Sequence, residues 1–210
     1  MPHDSTRGER SRNRRRTYGG TNVAIGEHTL VALVLHQPGV LNRISGMFRR
    51  RGFNISSLSV GQSESEELAR MTFVVQGDDA IVEQVTKQLY KLVDVVRVTD
   101  LDEDNSIVRE MALVKVSSTN QNRSEIIQIS EIFRSKIVDV GAETVVIEIT
   151  GDQSKINRFI ILLQPFGVRE VMRTGAVAMS RGTTVTAQID NNVSGASRVN
   201  IRPKDYDQNL

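Results

Sequence analysis

The 210-residue chain has no cysteine. That excludes a disulfide framework, a thiol nucleophile and any thiolate-held zinc or iron–sulfur centre. Tryptophan is missing too, and aromatic residues amount to only 4%, so platforms on which nucleic-acid bases stack are poorly supplied. The longest purely apolar run is Leu30 to Leu35, far too short to span a bilayer. The N-terminus shows no apolar segment of a secretory signal. A soluble, cytoplasmic protein with no membrane association is expected. Of the three histidines, His3 lies in a polar head and His28 at a strand start, and neither context suggests a base. No G-x-S-x-G elbow, P-loop or G-x-G-x-x-G occurs. The carboxylate pairs Glu66-Glu67 and Asp78-Asp79 and the cluster Asp102, Glu103, Asp104 fall at loop, cap or linker positions, where solvation rather than acid–base work is expected. Catalytic residues, bound metal and bound cofactor are all read as none.

What is present is ordinary globular stock: 39% hydrophobic and 25% charged residues, enough for a real core without staples. The formal charge of +2 hides an asymmetry. Residues 1–20 hold six arginines against two acids, while the rest of the chain is slightly acidic. The head, residues 1–26, is therefore read as a disordered basic extension. A nucleic-acid arm or a targeting peptide is the sharper alternative. Residues 183–210 are again polar and are read as a flexible tail.

Between these ends two similar units are expected. Residues 29–36 make an apolar strand that ends at Pro38-Gly39. Val40, Leu41, Ile44, Met47 and Phe48 then recur on one helix face, with Pro38 just inside the helix start and Gly52 at its end. Strands follow over residues 53–60 and 68–76, with Gly61 to Glu67 as the hairpin loop. Gly77-Asp78 opens a second helix that buries Val82, Val85, Leu89 and Leu92, and a strand runs from Val95 to Leu101. This is the β-α-β-β-α-β order. After the acidic linker 102–106 the order recurs: a strand over 109–117, a helix over 124–134 carrying Ile126, Ile129 and Phe133, and strands over 136–141 and 143–150. Gly151-Asp152 then opens a helix burying Ile156, Phe159, Ile160 and Leu163. Counted from each capping aspartate, apolar residues fall at +4, +7 and +11 in both units. The fold class is α+β: two tandem ferredoxin-like βαββαβ domains, 27–102 and 103–182, each an antiparallel sheet with helices on one face.

One junction carries chemistry. His36-Gln37-Pro38-Gly39-Val40-Leu41 joins the first strand to the first helix. A helix N-terminus presents unpaired N–H groups and partial positive charge, which suits a carboxylate. Glycine there lets a ligand approach the backbone, and Asn54 adds an amide donor and acceptor. Together they suit a free amino acid. A plain helix start that needs glycine for its turn is the alternative. The triple arginine Arg49 to Arg51 complements the dipole at the helix end, with a partner contact as the sharper alternative.

The stretch H-T-L-V-A-L-V-L-H-Q-P-G-V-L-N-R-I-S-G-M-F-R-R-R-G-F-N-I-S-S-L-S-V-G resembles the opening ACT domain of the small regulatory subunits of acetolactate synthase. The later phrases R-M-T-F-V-V, Q-L-Y-K-L-V-D-V-V-R-V, R-E-M-A-L-V-K-V, E-I-F-R-S-K-I-V-D-V and G-A-V-A-M-S-R-G resemble that family too, so the likeness covers residues 28–182. It implies a first domain that is an ACT domain and a chain without an active site of its own. Such a chain binds the catalytic large subunit, raises its activity and confers feedback inhibition by a branched-chain amino acid, usually valine. Thiamine diphosphate, Mg2+ and FAD are expected on that large subunit, within a transferase holoenzyme of branched-chain amino-acid biosynthesis. The resemblance also implies a homodimer through paired ACT domains. The effector would be bound by His36, Gln37, Pro38, Gly39, Val40 and Leu41 of one chain, with Asn54 and Ile55 across the interface. Bacterial members often carry Asn where His36 stands and Ser or another small residue where Pro38 stands. Arg173, Met179 and Arg181 are candidate contacts to the large subunit, the alternative being that they only finish the fold. A stand-alone amino-acid-sensing protein and a nucleic-acid-binding ferredoxin-like module are the rival readings, and no nucleic-acid partner is expected.

Overall fold

The computed structural model describes residues 26–186. The basic head and most of the polar tail lie outside the described residues. The first unit runs β1 (Gly26–Leu35), α1 (Val40–Arg51), β2 (Ile55–Gln62), β3 (Leu68–Gly77), α2 (Asp79–Leu89) and β4 (Val95–Leu101). Its sheet has the order β2-β3-β1-β4, antiparallel throughout. The second unit runs β5 (Ser106–Ser117), α3 (Arg123–Ile132), β6 (Lys136–Val140), β7 (Thr144–Gly151), α4 (Gln153–Leu163) and β8 (Val168–Arg173), with the corresponding order β6-β7-β5-β8. A ninth strand, β9 (Val177–Ser180), pairs with the first four residues of β5. The tandem βαββαβ reading therefore holds, with β9 as an addition.

Two cores form, one under each helix pair. In the first, Leu30, Ala32 and Val34 of β1 and Met71, Phe73 and Val75 of β3 meet Ile44, Met47 and Phe48 of α1 and Val82, Val85 and Leu89 of α2. In the second, Ala112, Val114 and Val116 of β5 and Ile147 and Ile149 of β7 meet Ile126, Ile156, Phe159 and Leu163. Strand alternation and helical spacing thus deliver one apolar face per element. Strand β1 is different: Val31 and Leu33, which alternate with the core residues, are also buried. Burial on both faces is why this strand reads as an unbroken apolar run rather than an alternating one.

The helix ends show where sequence spacing went astray. Gly39 sits at φ 87°, a left-handed conformation that no helical residue adopts, so α1 starts after it. Pro38 thus lies before the helix, not inside it. At the other end Gly52 has φ 70°, and the Phe53 N–H reaches back to the Phe48 carbonyl. This is a Schellman closure with its hydrophobic contact, the two rings meeting edge-on at 6.1 Å. Phe53 is consumed in ending the helix, which is why β2 begins at Ile55 rather than at residue 53. The acidic linker is a tight turn: the Asp102 carboxylate accepts from the Asp104 N–H and the Asn105 side chain. Accordingly β5 starts at Ser106, three residues before the expected strand.

Both Gly-Asp steps open helices as the spacing implies. The Asp78 carboxylate accepts from the Ile81 N–H at 2.8 Å, and that of Asp152 from the Lys155 N–H at 2.7 Å. Replacing either cap, Asp78→Ala or Asp152→Ala, is expected to cost about 1 kcal/mol. Urea denaturation should show a lower midpoint with an unchanged slope.

Candidate functional site

The β1–α1 loop is built from the end of an edge-protected strand and the open end of a helix. The Leu35 N–H donates to the Asp94 carbonyl at 2.8 Å, and the His36 N–H to the Glu67 carbonyl at 2.7 Å. The chain is thus tied down on both sides as it leaves the sheet. His36, Gln37, Pro38 and Gly39 are exposed. Gly39 precedes α1 without any side-chain cap, and no acidic residue occupies the first turn. The Val40 N–H donates to the Gln37 carbonyl at 3.4 Å; the remaining first-turn N–H groups and the positive end of the helix dipole are left for solvent or a ligand.

Sequence spacing did not reveal two further participants, Arg43 and Asp94. Arg43 Nε and Nη2 donate to the two Asp94 carboxylate oxygens at 2.6 and 3.0 Å, a bidentate pair spanning 51 residues. The Asp94 side chain is buried, whereas that of Arg43 is half-exposed. The guanidinium lies over Gly39: a Cβ built there would stand 3.3 Å from Arg43 Nη1. Glycine is favoured there by its φ, and a side chain would also press on the tip of the arginine. The sequence signal for Arg43 is only its i+4 step from Gly39, and its acidic partner is distant in sequence.

The other expected residues lie elsewhere. Val40 is 2% exposed and packs into the first core, so any part it takes in binding falls to its backbone. Leu41 is 46% exposed on the outer face of α1. Asn54 is exposed, with its amide 3.4 Å from the Gln76 side-chain oxygen, and Ile55 is partly buried against the core. Register decides whether these groups meet. Ile55 pairs with Val75, which pairs with His28 at the start of β1. The loop leaves β1 at Leu35, seven residues further on. At about 3.3 Å per residue the two sets stand roughly 23 Å apart along the sheet. The structure brings His36 to Leu41 together at one end and leaves Asn54 and Ile55 at the other.

A cleft of about 800 Å3 lies between the two domains and includes none of these eight residues. Arg173 lines it but is committed structurally: it donates to both Glu110 carboxylate oxygens and to Asn157. The Glu110 hydrogen bond holds its pKa above the ordinary arginine value, against the opposing effect of burial. Met179 and Arg181 are exposed. Among the described residues no group of three or more His, Asp or Glu could hold a metal ion, and no helix is long and apolar enough to cross a membrane. The face of the first sheet opposite its helices, where an RNA-binding sheet would display its stacking aromatics, is contacted by this chain's own C-terminal segment. Strand β9 lies against β1, and Arg70 hydrogen-bonds the carbonyl of buried Thr186.

Paired βαββαβ units, the first with a glycine-opened loop at the end of its central strand, define a tandem ACT-type chain. Residues 30–97 match the family model of the AHAS small subunit-like ACT domain, and residues 109–182 that of the small subunit of acetolactate synthase. The chain is 51% identical over 157 residues to a "Probable acetolactate synthase small subunit" of Methanothermobacter thermautotrophicus, covering 74% of this chain and 94% of that protein. It is 47% identical over 160 residues to the acetolactate synthase small subunit of Mycobacterium leprae, covering 76% and 95%. The crystal structure of the Thermotoga maritima acetolactate synthase small subunit superposes with a TM-score of 0.73 at 49% identity, over 76% of this chain and all of that one. The chain belongs to the acetolactate synthase small-subunit family.

The Arg43–Asp94 pair yields an ordered prediction. Asp94→Ala removes both charge-assisted bonds and should cost about 1–3 kcal/mol. Arg43→Ala leaves a buried carboxylate without its partner and should cost more. Chemical denaturation of the two variants measures the order, and the reverse order would show that the aspartate is not desolvated as its burial indicates.

Proposed function

We propose that this chain is the regulatory subunit of acetolactate synthase. It binds the catalytic large subunit, raises its activity and makes it sensitive to a branched-chain amino acid, with valine the effector. Thiamine diphosphate, Mg2+ and FAD belong to the large subunit, and this chain contributes none of the chemistry. The effector lies at a seam between two ACT domains of two chains, held by His36, Gln37, Pro38, Gly39, Val40 and Leu41 of one and by Asn54 and Ile55 of the other.

The observation that carries this reading is the uncapped first turn of α1, with Gly39 left-handed and exposed at its head. Such a turn suits a carboxylate, and Leu41 beside it offers apolar surface to an aliphatic side chain. The separation of Asn54 from the loop supports a two-chain seam. Strand β2 is an edge, with no strand partner on its outer side among the described residues. A two-fold pairing of β2 edges is antiparallel by symmetry and isologous. It brings the start of one chain's β2 to the end of its neighbour's, the end where the neighbour's β1–α1 loop stands. An effector bound there favours one arrangement of the complex only through its differential affinity for the two, and about 1–3 kcal/mol of coupling suffices for feedback.

Gly39→Asp tests the reading. The new carboxylate would face the effector's own, and Arg43 Nη1 stands within reach to hold it in place. In reconstituted holoenzyme, inhibition by valine should be lost while activation of the large subunit persists. An unchanged half-inhibiting concentration would defeat the assignment of the loop.

A further inference from the structure

Two of the phrases that carry the family likeness meet in space, although nothing in their spacing announces it. F-N-I-S-S-L-S-V-G contains Asn54, Ile55, Ser57 and Leu58 at the start of β2. G-A-V-A-M-S-R-G contains Gly175 and Ala176 in the turn between β8 and β9. The Ala176 N–H donates to Ser57 Oγ at 2.8 Å, across 119 residues. Gly175 has φ 78°, and a Cβ there would lie 2.7 Å from Ser57 Oγ and 3.1 Å from the Leu58 carbonyl oxygen. The turn is thus pressed against the edge strand of the first domain, and only glycine meets both the conformation and the approach.

Each side of this joint is differently anchored. The turn is fixed to the second domain: Thr174 exchanges hydrogen bonds with the backbone of Met111 through its N–H and its hydroxyl, and Arg173 is held by Glu110 and Asn157. On the other side the β2–β3 ladder is irregular between Ile55 and Ser57. A bulge therefore separates the residues assigned to the seam from those that hold the turn, and the strand bends at that point. The interdomain cleft opens beside the joint, with Thr29 and Val74 on one wall and Glu110 and Arg173 on the other, so space is left for the domains to change their relative angle.

We propose that Ser57 and Gly175 are positioning residues: they couple occupancy of the seam at Asn54 and Ile55 to the placement of the second domain. This rests on the reading of the seam given above. A ligand that shifts the start of β2 moves Ser57 within the same strand, and the rigid turn hydrogen-bonded to Ser57 transmits that shift to β5 and β9. Coupling of this kind needs a contact with two discrete arrangements, not a continuous deformation. The Ser57–Ala176 hydrogen bond is one such contact, since it is either made or broken.

The test uses full-length Ser57→Ala and Gly175→Ala chains beside the wild type. Valine binding to each small subunit is followed by calorimetry, and valine inhibition is followed in holoenzyme reconstituted with the large subunit. Ser57→Ala removes a single oxygen and decides the matter if Gly175→Ala does not fold. The expected result is a half-inhibiting valine concentration raised at least ~10-fold, with the dissociation constant of the isolated subunit little changed. Inhibition curves that superpose on the wild type overturn the proposal. So does a dissociation constant weakened in step with inhibition, which would mean damage to the seam rather than loss of coupling. A wild-type chain that gives neither heat nor inhibition fails the seam reading itself, and the coupling with it.

Discussion

The constraint on which the account turns is the register of one antiparallel ladder. Hydrogen bonds from His28↔Val75 to Leu35↔Leu68 hold β1 and β3 in step, and β2 follows the same rows from Ser57 to Gln62, with one shift after Ile55. A sheet so paired cannot fold its two ends together. The loop at Gly39 and the amide of Asn54 therefore stay apart within a chain, whatever the loops do. A ligand that needs both must be shared between copies. Regulation by such a ligand then becomes inseparable from association, because binding stabilises whichever paired state it bridges.

Around that ladder the remaining features support one another. Asp94 lies buried at the approach to β4, where its carbonyl holds β1 and its carboxylate holds α1 through Arg43. The loop is consequently framed by fixed groups on both sides rather than free to collapse, so little ordering is left for a ligand to impose. On the opposite face of the sheet, β9 and Thr186 tie the second domain to the first. The two domains are thus not merely strung in sequence. The central strand of one touches an element that belongs to the other, and interdomain contacts of modest size are where relative motion is expected.

Local order was legible because it is written locally. The helical stripes of α1, α2 and α4, less Leu41, which is exposed, and Leu92, which lies past the end of α2, the alternation in β3 and the two capping aspartates each depend on residues within a few positions of one another, and the tandem unit follows from their recurrence. Boundaries failed where a neighbouring element claimed a residue. Pro38 lies ahead of the helix because Gly39 is left-handed, and Phe53 serves α1 rather than β2. Long-range pairings left no periodic trace. Nothing near Arg43 points to Asp94, and nothing near Ser57 points to Ala176. The unbroken apolar run in β1 marked a strand, but neither the burial of both its faces nor what covers the second face. That cover includes β9, a four-residue strand too short for its pattern to stand out. Of the loop residues, Val40 shows the limit of reading by proximity: it is adjacent to Gly39 in sequence yet turned into the core.

Subunit mixing tests the shared seam most directly. Chains carrying Gly39→Asp and chains carrying Asn54→Ala are purified separately, exchanged, and titrated with valine by calorimetry. Each variant alone should give no binding. In a hybrid dimer one seam carries both defects and the other carries neither, so random exchange should restore roughly one quarter of the wild-type sites. Recovery at that level would establish that one pocket takes residues from two chains. A mixture as silent as its parents, or an Asn54→Ala chain that binds like the wild type, would contradict the account.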